Sequence, residues 1–347
     1  MSAPRPAYVP VLRSHRAETN ALRELTPAVR RLMAPLIEVS AETAQRLSQV
    51  SSDAVARELH ELSAGVGPGE SYLDIAALRT RDDLSTILRR LALRLSQVPA
   101  GTRLVFRMGD FSAPQRFADA QTILRRNGAA IRVSRADYVN AQLASVRSFL
   151  QGLSLTPHAI DLIVDCKVVE DGQTMVGTAT LLESRIPWQS VAYVGGSFPQ
   201  NLADLAKNDQ HELPRREWQR FTEESLQQGR PVRFGDYTVQ HPFQQDPPPK
   251  VLPSGSIRYT SDQHWVVMRG EKLDAPDSPG HEQYIALAQL LCERPEFRGS
   301  EFSAGDRYIA LMAGQTQNTG SPMTWLQAGI NHHLTFAARQ LEAFAAA

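Results

Sequence analysis

The chain has 347 residues, 42% hydrophobic and 21% charged, so it can bury a large core and is not a disordered protein. Its formal net charge of +0 at pH 7 excludes a strong overall attraction to nucleic acid or anionic lipid. Its two cysteines, Cys166 and Cys292, exclude a disulfide framework and lack a metal-binding spacing. No apolar stretch approaches about 18 residues, so we expect a soluble, cytoplasmic protein with no membrane partner.

Short apolar runs alternate with amphipathic stretches along the first two-thirds of the chain. The first run covers residues 8–12, and residues 18–32 after it have the spacing of a helical face. Seven more runs follow in chain order, at residues 35–39, 72–75, 103–108, 129–133, 160–164, 190–194 and 231–234. Helical patterns occupy most of the gaps between them, so the alternation is that of repeated βα units.

Runs that are apolar on both faces are typical of parallel strands covered by helices. Eight βα units close into a TIM-like (β/α)8 barrel, and this is the α/β fold that we predict. An open doubly wound sheet has the same alternation and is the alternative. The count of eight runs and the lack of a glycine-rich phosphate fingerprint after the first run favour the barrel.

The pattern changes after residue 234. Residues 241–255 are rich in proline and predict a linker rather than a helix or a central strand. Two strands are predicted at 256–260 and 265–268, and helices at 282–291 and 325–344. We therefore predict a barrel over residues 1–240, a linker over 241–255, and a C-terminal α+β cap, packed on the barrel, over 256–347.

Charged side chains stand at or near the ends of the predicted barrel strands, where they would meet at one mouth. The candidate catalytic residues are Glu38, Asp74, Asp165, Lys167 and Asp236. The candidates for binding an anion or substrate at the mouth are Arg13, Arg107, Arg132, Gly195 and Ser197. Carboxylates from several strands could hold a divalent metal such as Mg²⁺, with arginines on a phosphate, which would suit phosphodiester cleavage.

The same charges have a purely structural interpretation. A carboxylate beside an apolar run costs several kcal/mol, on the order of a lost hydrogen bond or more, unless something compensates it. Arg107 or Arg132 would compensate Glu38 and Asp165 without any catalysis. The sequence leaves both interpretations open.

The cap carries a second set of candidates for anion or substrate binding: Arg258, Tyr259, Asp306, His332 and His333. Adjacent histidines on a helix point about 100° apart, so His332 and His333 are not expected to share one metal. We expect any site to lie where the barrel mouth meets these cap residues.

Several segments of the chain resemble the beta protein family, which is named after a bacteriophage protein and also occurs in bacterial genomes. The matching segments are YVPVL near the start, PLIE (35–38), VGGSFPQNL (194–202), FGDYTVQHP (234–242), SIRYTSDQHWVVMRG (256–270), GHEQY (280–284), FSAGDRYI (302–309) and WLQAGINHHLTFAARQL (325–341). The resemblance implies a link to phages or to bacterial defence loci, and it implies no particular reaction.

Two functions follow as hypotheses. The first is a metal-assisted phosphodiesterase or nuclease-like effector that acts at the barrel mouth in phage defence or in a phage. The second is a non-catalytic sensor or a module that binds a partner protein of a defence system. Phosphate-containing ligands or nucleic acid are the expected small or polymeric partners. No recognised catalytic motif decides whether the protein is an enzyme.

Overall fold

The computed structural model describes residues 7–65, 69–96, 101–140, 143–177, 179–228, 230–243, 254–315 and 319–346. The strands are β1 (Val11–Arg13), β2 (Leu36–Glu38), β3 (Glu70–Asp74), β4 (Gly101–Arg107), β5 (Ala129–Ser134), β6 (Ile160–Val168), β7 (Ser190–Gly196), β8 (Asp209–Pro214), β9 (Arg233–Gly235), β10 (Ser254–Thr260) and β11 (His264–Lys272). The α-helices are α1 (Arg16–Arg23), α2 (Pro27–Arg30), α3 (Ala41–Leu47), α4 (Ser52–Gly65), α5 (Leu84–Leu95), α6 (Gln121–Asn127), α7 (Arg135–Asn140), α8 (Leu143–Gly152), α9 (Leu181–Ser184), α10 (Arg216–Ser225), α11 (Gln283–Cys292), α12 (Ala304–Ala313) and α13 (Pro322–Ala346).

Eight parallel strands form a barrel. They are hydrogen-bonded in the order β1-β2-β3-β4-β5-β6-β7-β9, which is chain order without a reversal. The first and last strands close the ring, because the N–H groups of Val9 and Val11 donate to the carbonyls of Phe234 and Asp236, each at 2.7 Å. The TIM-like barrel is thereby confirmed, and the open doubly wound alternative is wrong.

The interior of the barrel is built in layers, because alternate residues of each strand point inward. The middle layer is apolar and contains Leu36, Tyr72, Val105, Ala130 and Ile163. A charged layer lies below it, in which Arg103 bonds to Asp161 at 3.0 Å. Another charged layer lies above it at the carboxyl ends of the strands, and that layer forms the mouth.

Helices cover the outside of the barrel through apolar stripes. On α5 the buried residues Leu84, Leu88, Leu91 and Leu95 recur at helical spacing and face the outward side chains of the strands. The helix predicted over residues 18–32 is interrupted between α1 and α2. Thr26 caps the second piece, and a proline occupies its first position, which fits a helix start and not a helix interior.

The cap contains a three-stranded antiparallel sheet in the order β10-β11-β8. The two strands predicted at 256–260 and 265–268 are confirmed as β10 and β11. The third strand, β8, was not predicted. It comes from the segment between barrel strands β7 and β9, so the region assigned to the barrel supplies one edge of the cap sheet.

Helix α13 joins the two cores. Its residues Ile330, Leu334 and Ala337 belong to the barrel core, whereas Trp325 and Ala328 belong to the cap core. Most of the proline-rich linker predicted at 241–255, residues 244–253, lies outside the described residues. In the described ranges, no helix has the length and apolar character required to span a membrane.

Candidate functional site

The mouth of the barrel is lined by charged side chains for a simple geometric reason. Each of them stands two residues after an inward apolar residue of its strand, so it points inward one layer higher. The pairs are Val11 and Arg13, Leu36 and Glu38, Tyr72 and Asp74, Val105 and Arg107, Ala130 and Arg132, and Ile163 and Asp165. The structure therefore brings these six predicted residues to the same end of the barrel.

Arg132 is the centre of this layer. Its Nη1 lies 2.7 Å from Glu38 Oε1 and 3.1 Å from Asp74 Oδ2, and its Nη2 lies 2.7 Å from Asp165 Oδ2. The Nη2 group also donates to the Tyr237 hydroxyl at 2.8 Å. The side chain of Arg132 is only 3% exposed. One buried guanidinium thus forms ion pairs with carboxylates from three strands.

Arg107 supports Asp74 from the next strand. Its Nε and Nη2 donate to Asp74 Oδ2 at 3.0 and 2.7 Å. Burial by itself would raise the pKa of Asp74, but the Arg132 and Arg107 guanidiniums hold that pKa below its ordinary value. Unlike the buried Arg132 side chain, the Arg107 side chain is 39% exposed. One side of the Arg107 side chain therefore bonds to the carboxylate layer, and the other side faces the cavity beside it.

Lys167 lies at a bulge in β6, where its backbone adopts φ +56 and the pairing with β7 shifts register. Its Nζ lies 3.1 Å from Asp165 Oδ2 and donates to the Tyr237 hydroxyl at 2.9 Å. The Tyr237 hydroxyl in turn donates to Asp165 Oδ1 at 2.7 Å. Burial and the neighbouring Arg132 guanidinium lower the pKa of Lys167, and Asp165 only partly opposes them.

Two cavities open beside this layer. One, of about 610 Å³, is lined by Glu38, Asp74 and Arg107 from the mouth. The other, of about 970 Å³, runs between the barrel and the cap and includes Arg258 in its wall. Arg13 and His15 line both cavities, so the two spaces adjoin. Both volumes lie within the range found for natural small-molecule sites.

The carboxylates of the mouth do not fit a divalent metal. Glu38, Asp74 and Asp165 all direct an oxygen at Arg132, so a metal among them would have to displace a buried guanidinium. Within the part of the chain that the structure describes, no group of three or more His, Cys, Asp or Glu side chains is arranged to hold a metal ion. The expectation of Mg²⁺ at this mouth gains no support from the donor set.

Asp236, the remaining carboxylate proposed for the mouth, lies in the buried interface between barrel and cap. Its Oδ1 accepts from the Tyr8 hydroxyl at 2.7 Å, and its Oδ2 lies 2.9 Å from His333 Nε2. Burial lowers the pKa of His333, so a neutral ring with its proton on Nε2 fits the site. The Nδ1 atom then accepts from the Thr260 hydroxyl at 2.9 Å. These groups satisfy one another away from both cavities.

A second buried network holds the other cap residues of the prediction. His332 Nδ1 lies 2.8 Å from Asp306 Oδ2, and its Nε2 lies 2.9 Å from the carbonyl of Thr260. Tyr259 donates to Asp306 Oδ1 at 2.6 Å and stacks on the His332 ring at 3.6 Å. Both ring nitrogens thus lie within hydrogen-bonding distance of an oxygen atom. This network pins α13 to α12 and to β10.

The last three predicted residues have packing roles. A Cβ at Gly195 would come within 3 Å of Val169, so the glycine permits close strand packing. Ser197 Oγ accepts from the Arg216 N–H at 3.1 Å and donates to the Pro214 carbonyl at 3.1 Å, which fixes the start of α10. Arg258 donates to the Val239 carbonyl at 2.8 Å and lines the larger cavity, and burial lowers its pKa to about 10.

Sequence reasoning missed two residues of the mouth. Tyr237 is the second residue after the last barrel strand, and its hydroxyl contacts Arg132, Lys167 and Asp165. His15, two residues after the first strand, was not among the candidates, although it lines both cavities. The rule that selected the charged residues, position just after a barrel strand, would have found both if it had included aromatic and imidazole groups.

Comparison with protein-family models gives a match. The family model for the Beta protein matches residues 8–339, which is nearly the whole chain. A search of curated proteins and a search of solved structures each returned no match. Because the match covers both the barrel and the cap, the chain belongs to the Beta protein family.

Proposed function

We propose that this protein is a recognition module that binds a phosphate-containing ligand at the barrel mouth without the help of a metal ion. One observation carries the proposal. The three mouth carboxylates surround Arg132, whereas Arg13 and Arg107 present guanidinium groups to the adjoining cavities. The carboxylates are thus paired inside the protein, whereas the guanidinium groups at the cavities are accessible to a ligand.

The chemistry of Arg107 supports an anionic ligand. A guanidinium has five N–H donors, and the bonds to Asp74 use those of Nε and Nη2. Among the described residues no hydrogen bond uses the Nη1 donors, which could bind a phosphate oxygen. Asp74 fixes the orientation of the side chain, so little rotamer entropy is lost when the ligand binds. Arg13 faces the same cavity from β1 and supplies a second donor group.

The setting that we propose is phage infection, with the protein in the cytoplasm of a bacterial cell. The family resemblance is what supports this part of the proposal. In that setting the ligand is a phosphate-containing phage component or a nucleic acid, and a partner protein of a defence system would carry the response. A metal-assisted phosphodiesterase at the same mouth is the alternative proposal.

Binding measurements test the proposal directly. The probes are pyrophosphate, ATP and a labelled 12-nucleotide single-stranded DNA, measured by calorimetry and fluorescence anisotropy. We expect Arg13→Ala and Arg107→Gln each to weaken binding at least tenfold. Each should also reduce the slope of log affinity against log salt by about 1, as expected for one lost phosphate contact.

The matched control is Arg89→Ala, because Arg89 is exposed on α5 and lines neither cavity. Its affinity should equal that of the wild type. Equal losses in all three variants, or no binding of any probe by the wild type, would contradict the proposal. Hydrolysis of a phosphodiester in the presence of Mg²⁺ that is abolished by Asp165→Asn would favour the enzyme instead.

A further inference from the structure

Lys167 stands out because the chain almost always uses arginine for its positive charges. It has 37 lysines and arginines in all, and only Lys167, Lys207, Lys250 and Lys272 are lysines. An arginine at position 167 could pair with Asp165 just as Arg132 does. What a lysine adds is an amine that becomes a nucleophile once it loses a proton, which a guanidinium does not do in proteins.

The surroundings of the amine suit that chemistry. Its Nζ lies 5.0 Å from the centroid of the Tyr237 ring and 5.7 Å from that of Phe243, so aromatic faces replace part of its hydration. Arg132, held against the same Asp165 oxygen, places a second positive charge beside it. Lost hydration and the Arg132 charge disfavour the ammonium form, whereas the contact with the aromatic faces favours it. The side chain is still 30% exposed, so a carbonyl compound can reach the amine from solvent.

We propose that Lys167 forms an imine with a carbonyl group of a ligand bound at the barrel mouth. The inference rests on the proposed function in placing a phosphate-containing ligand there, and it adds that this ligand is an aldehyde or ketone. The Nζ lone pair attacks the carbonyl carbon, the π pair moves to oxygen, and that oxygen takes up a proton. Loss of water from this carbinolamine gives the protonated imine. Overall, the lysine ammonium and the carbonyl give an iminium and one water, with no oxidant required.

Tyr237 is a positioning residue in this scheme. Its hydroxyl accepts from both Arg132 and Lys167 and donates to Asp165, so it fixes the amine between the two charges. Asp165 acts in the opposite direction from Arg132, because its negative charge favours the ammonium form. Removing that charge should therefore increase the reactivity of the amine.

Reductive trapping tests the inference. The full-length protein is incubated with pyridoxal 5′-phosphate or with pyridoxal, reduced with borohydride, and mapped by peptide mass spectrometry. We expect the phosphate ester to label Lys167 at least tenfold faster than Lys207 or Lys272 near pH 7.5. Those two lysines are more exposed, at 54% and 51%, so accessibility alone would give the reverse order. Labelling of Lys167 no faster than of Lys207 and Lys272 would overturn the inference.

The two probes separate this inference from the proposed function. Fast labelling of Lys167 by both probes at equal rates would support the imine and contradict phosphate recognition. Phosphate binding without labelling of Lys167 would contradict the imine and leave the recognition module in place.

The variant Asp165→Asn is a control for which the direction of the change is predicted. Its labelling of Lys167 should be at least threefold faster at neutral pH, with the rise in rate moved to lower pH. An unchanged pH profile would count against the inference. Lys167→Arg keeps the charge but has no amine, so its labelling should be limited to the remaining lysines.

Discussion

At the scale of single residues, the mouth is organised around Arg132, whose positive charge compensates buried carboxylates. Three carboxylates from different strands lie within hydrogen-bonding distance of one buried guanidinium. Such a cluster contributes little net stability when complete, because each charge has lost its hydration. Removing Arg132 is costly, since Asp74 and Asp165 stay buried and, within the described part of the chain, keep only Arg107 and Lys167 as cationic partners. The cluster therefore specifies the arrangement of strand ends more than it strengthens the fold.

The first prediction concerns Arg132→Met. This variant keeps most of the side-chain volume and leaves Glu38, Asp74 and Asp165 without their shared cation. We expect the free energy of unfolding to fall by about 3–5 kcal/mol, measured by urea denaturation at pH 7. Arg89→Ala, on the exposed face of α5, should change it by no more than about 0.5 kcal/mol. A loss of under about 1 kcal/mol for Arg132→Met would mean that the carboxylates find other partners.

The second prediction concerns pH. Burial would raise the pKa of Asp165, but Arg132 and Lys167 outweigh it and hold the pKa at about 2, below the ordinary 3.8. The folded state therefore binds this proton less tightly than the unfolded state. The stabilisation from Asp165 is present above pH 4 and is lost as pH falls towards 2.

The variant Asp165→Asn should accordingly flatten the dependence of unfolding free energy on pH between 5 and 2. The expected reduction is on the order of 2 kcal/mol, the equivalent of the shift in pKa. Asp204→Asn, which changes an exposed carboxyl of the loop after β7, is the control and should leave the profile unchanged. Superimposable profiles for wild type and Asp165→Asn would show that this carboxyl is not held by its neighbours.

At the scale of elements, helix α13 is held unusually close to its neighbours. A Cβ at Gly305 in α12 would lie within 3 Å of the Ala328 carbonyl of α13, and one at Gly329 would lie within 3 Å of the Arg258 carbonyl of β10. Asn331 completes the contact, because its Oδ1 accepts from the Gly305 N–H at 2.8 Å and its Nδ2 donates to the Ala21 carbonyl at 2.9 Å. The backbone of α13 is thus in direct contact with the backbones of α12 and β10.

The third prediction is that Gly305→Ala destabilises the protein. In an exposed helix the same change is favourable by up to about 1 kcal/mol, so its sign separates packing from propensity. Here we expect a loss of about 1–3 kcal/mol, because the added methyl group must push two helices apart. The control is Gly65→Ala in α4, where the nearest atom to the new Cβ is 3.5 Å away. It should be neutral or stabilising in thermal unfolding, and the same result for Gly305→Ala would refute close packing.

The elements differ in how well the sequence predicts them, and the reason is burial. All eight barrel strands were predicted, because strands covered on both faces read as apolar runs. Strand β8 was missed, since its sequence DQHELP is polar and its residues are exposed or half-buried. Its pairing comes from β11, more than fifty residues later, and local sequence contains no trace of that partner.

The mouth was predicted in part for a related reason. Alternation along a strand places Glu38, Asp74, Arg107, Arg132 and Asp165 at the barrel end once the strands are known. Which charges pair and which face solvent depends on strand order and register, which spacing alone does not give. Asp236 stands two residues after Phe234, which belongs to the core outside the barrel, so it points away from the mouth and contacts His333 of α13 across 97 residues.

At the scale of the whole molecule, the barrel and the cap share structure in a way that should make them unfold together. Strand β8 passes from one to the other, and α13 contributes side chains to both cores. The interface also contains a buried hydrogen-bond network of Tyr8, Asp236, Thr260 and His333. These bonds join barrel residues to cap residues, so they are lost if either part unfolds alone.

The fourth prediction is a single unfolding transition. Far-UV circular dichroism should coincide with tryptophan fluorescence, to which Trp188 and Trp218 of the barrel region contribute along with Trp265 and Trp325 of the cap. A chain that ends at residue 253 should fail to give this transition, because it exposes Tyr8, Phe234 and Asp236. Fluorescence that changes before the circular dichroism, or a truncated chain with a cooperative transition, would show two independent units.

The detour of the chain through β8 also bears on how the protein is made. As the chain leaves the ribosome, the barrel strands β1 to β7 emerge first, then β8, which has no partner until β11 has been synthesised. The last barrel strand, β9, pairs with the start of the chain across more than 220 residues. Closing contacts of such long range is slow. We therefore expect the nascent protein to expose an open sheet edge until β11, which ends at residue 272, has been synthesised, and to need protection from aggregation during that interval.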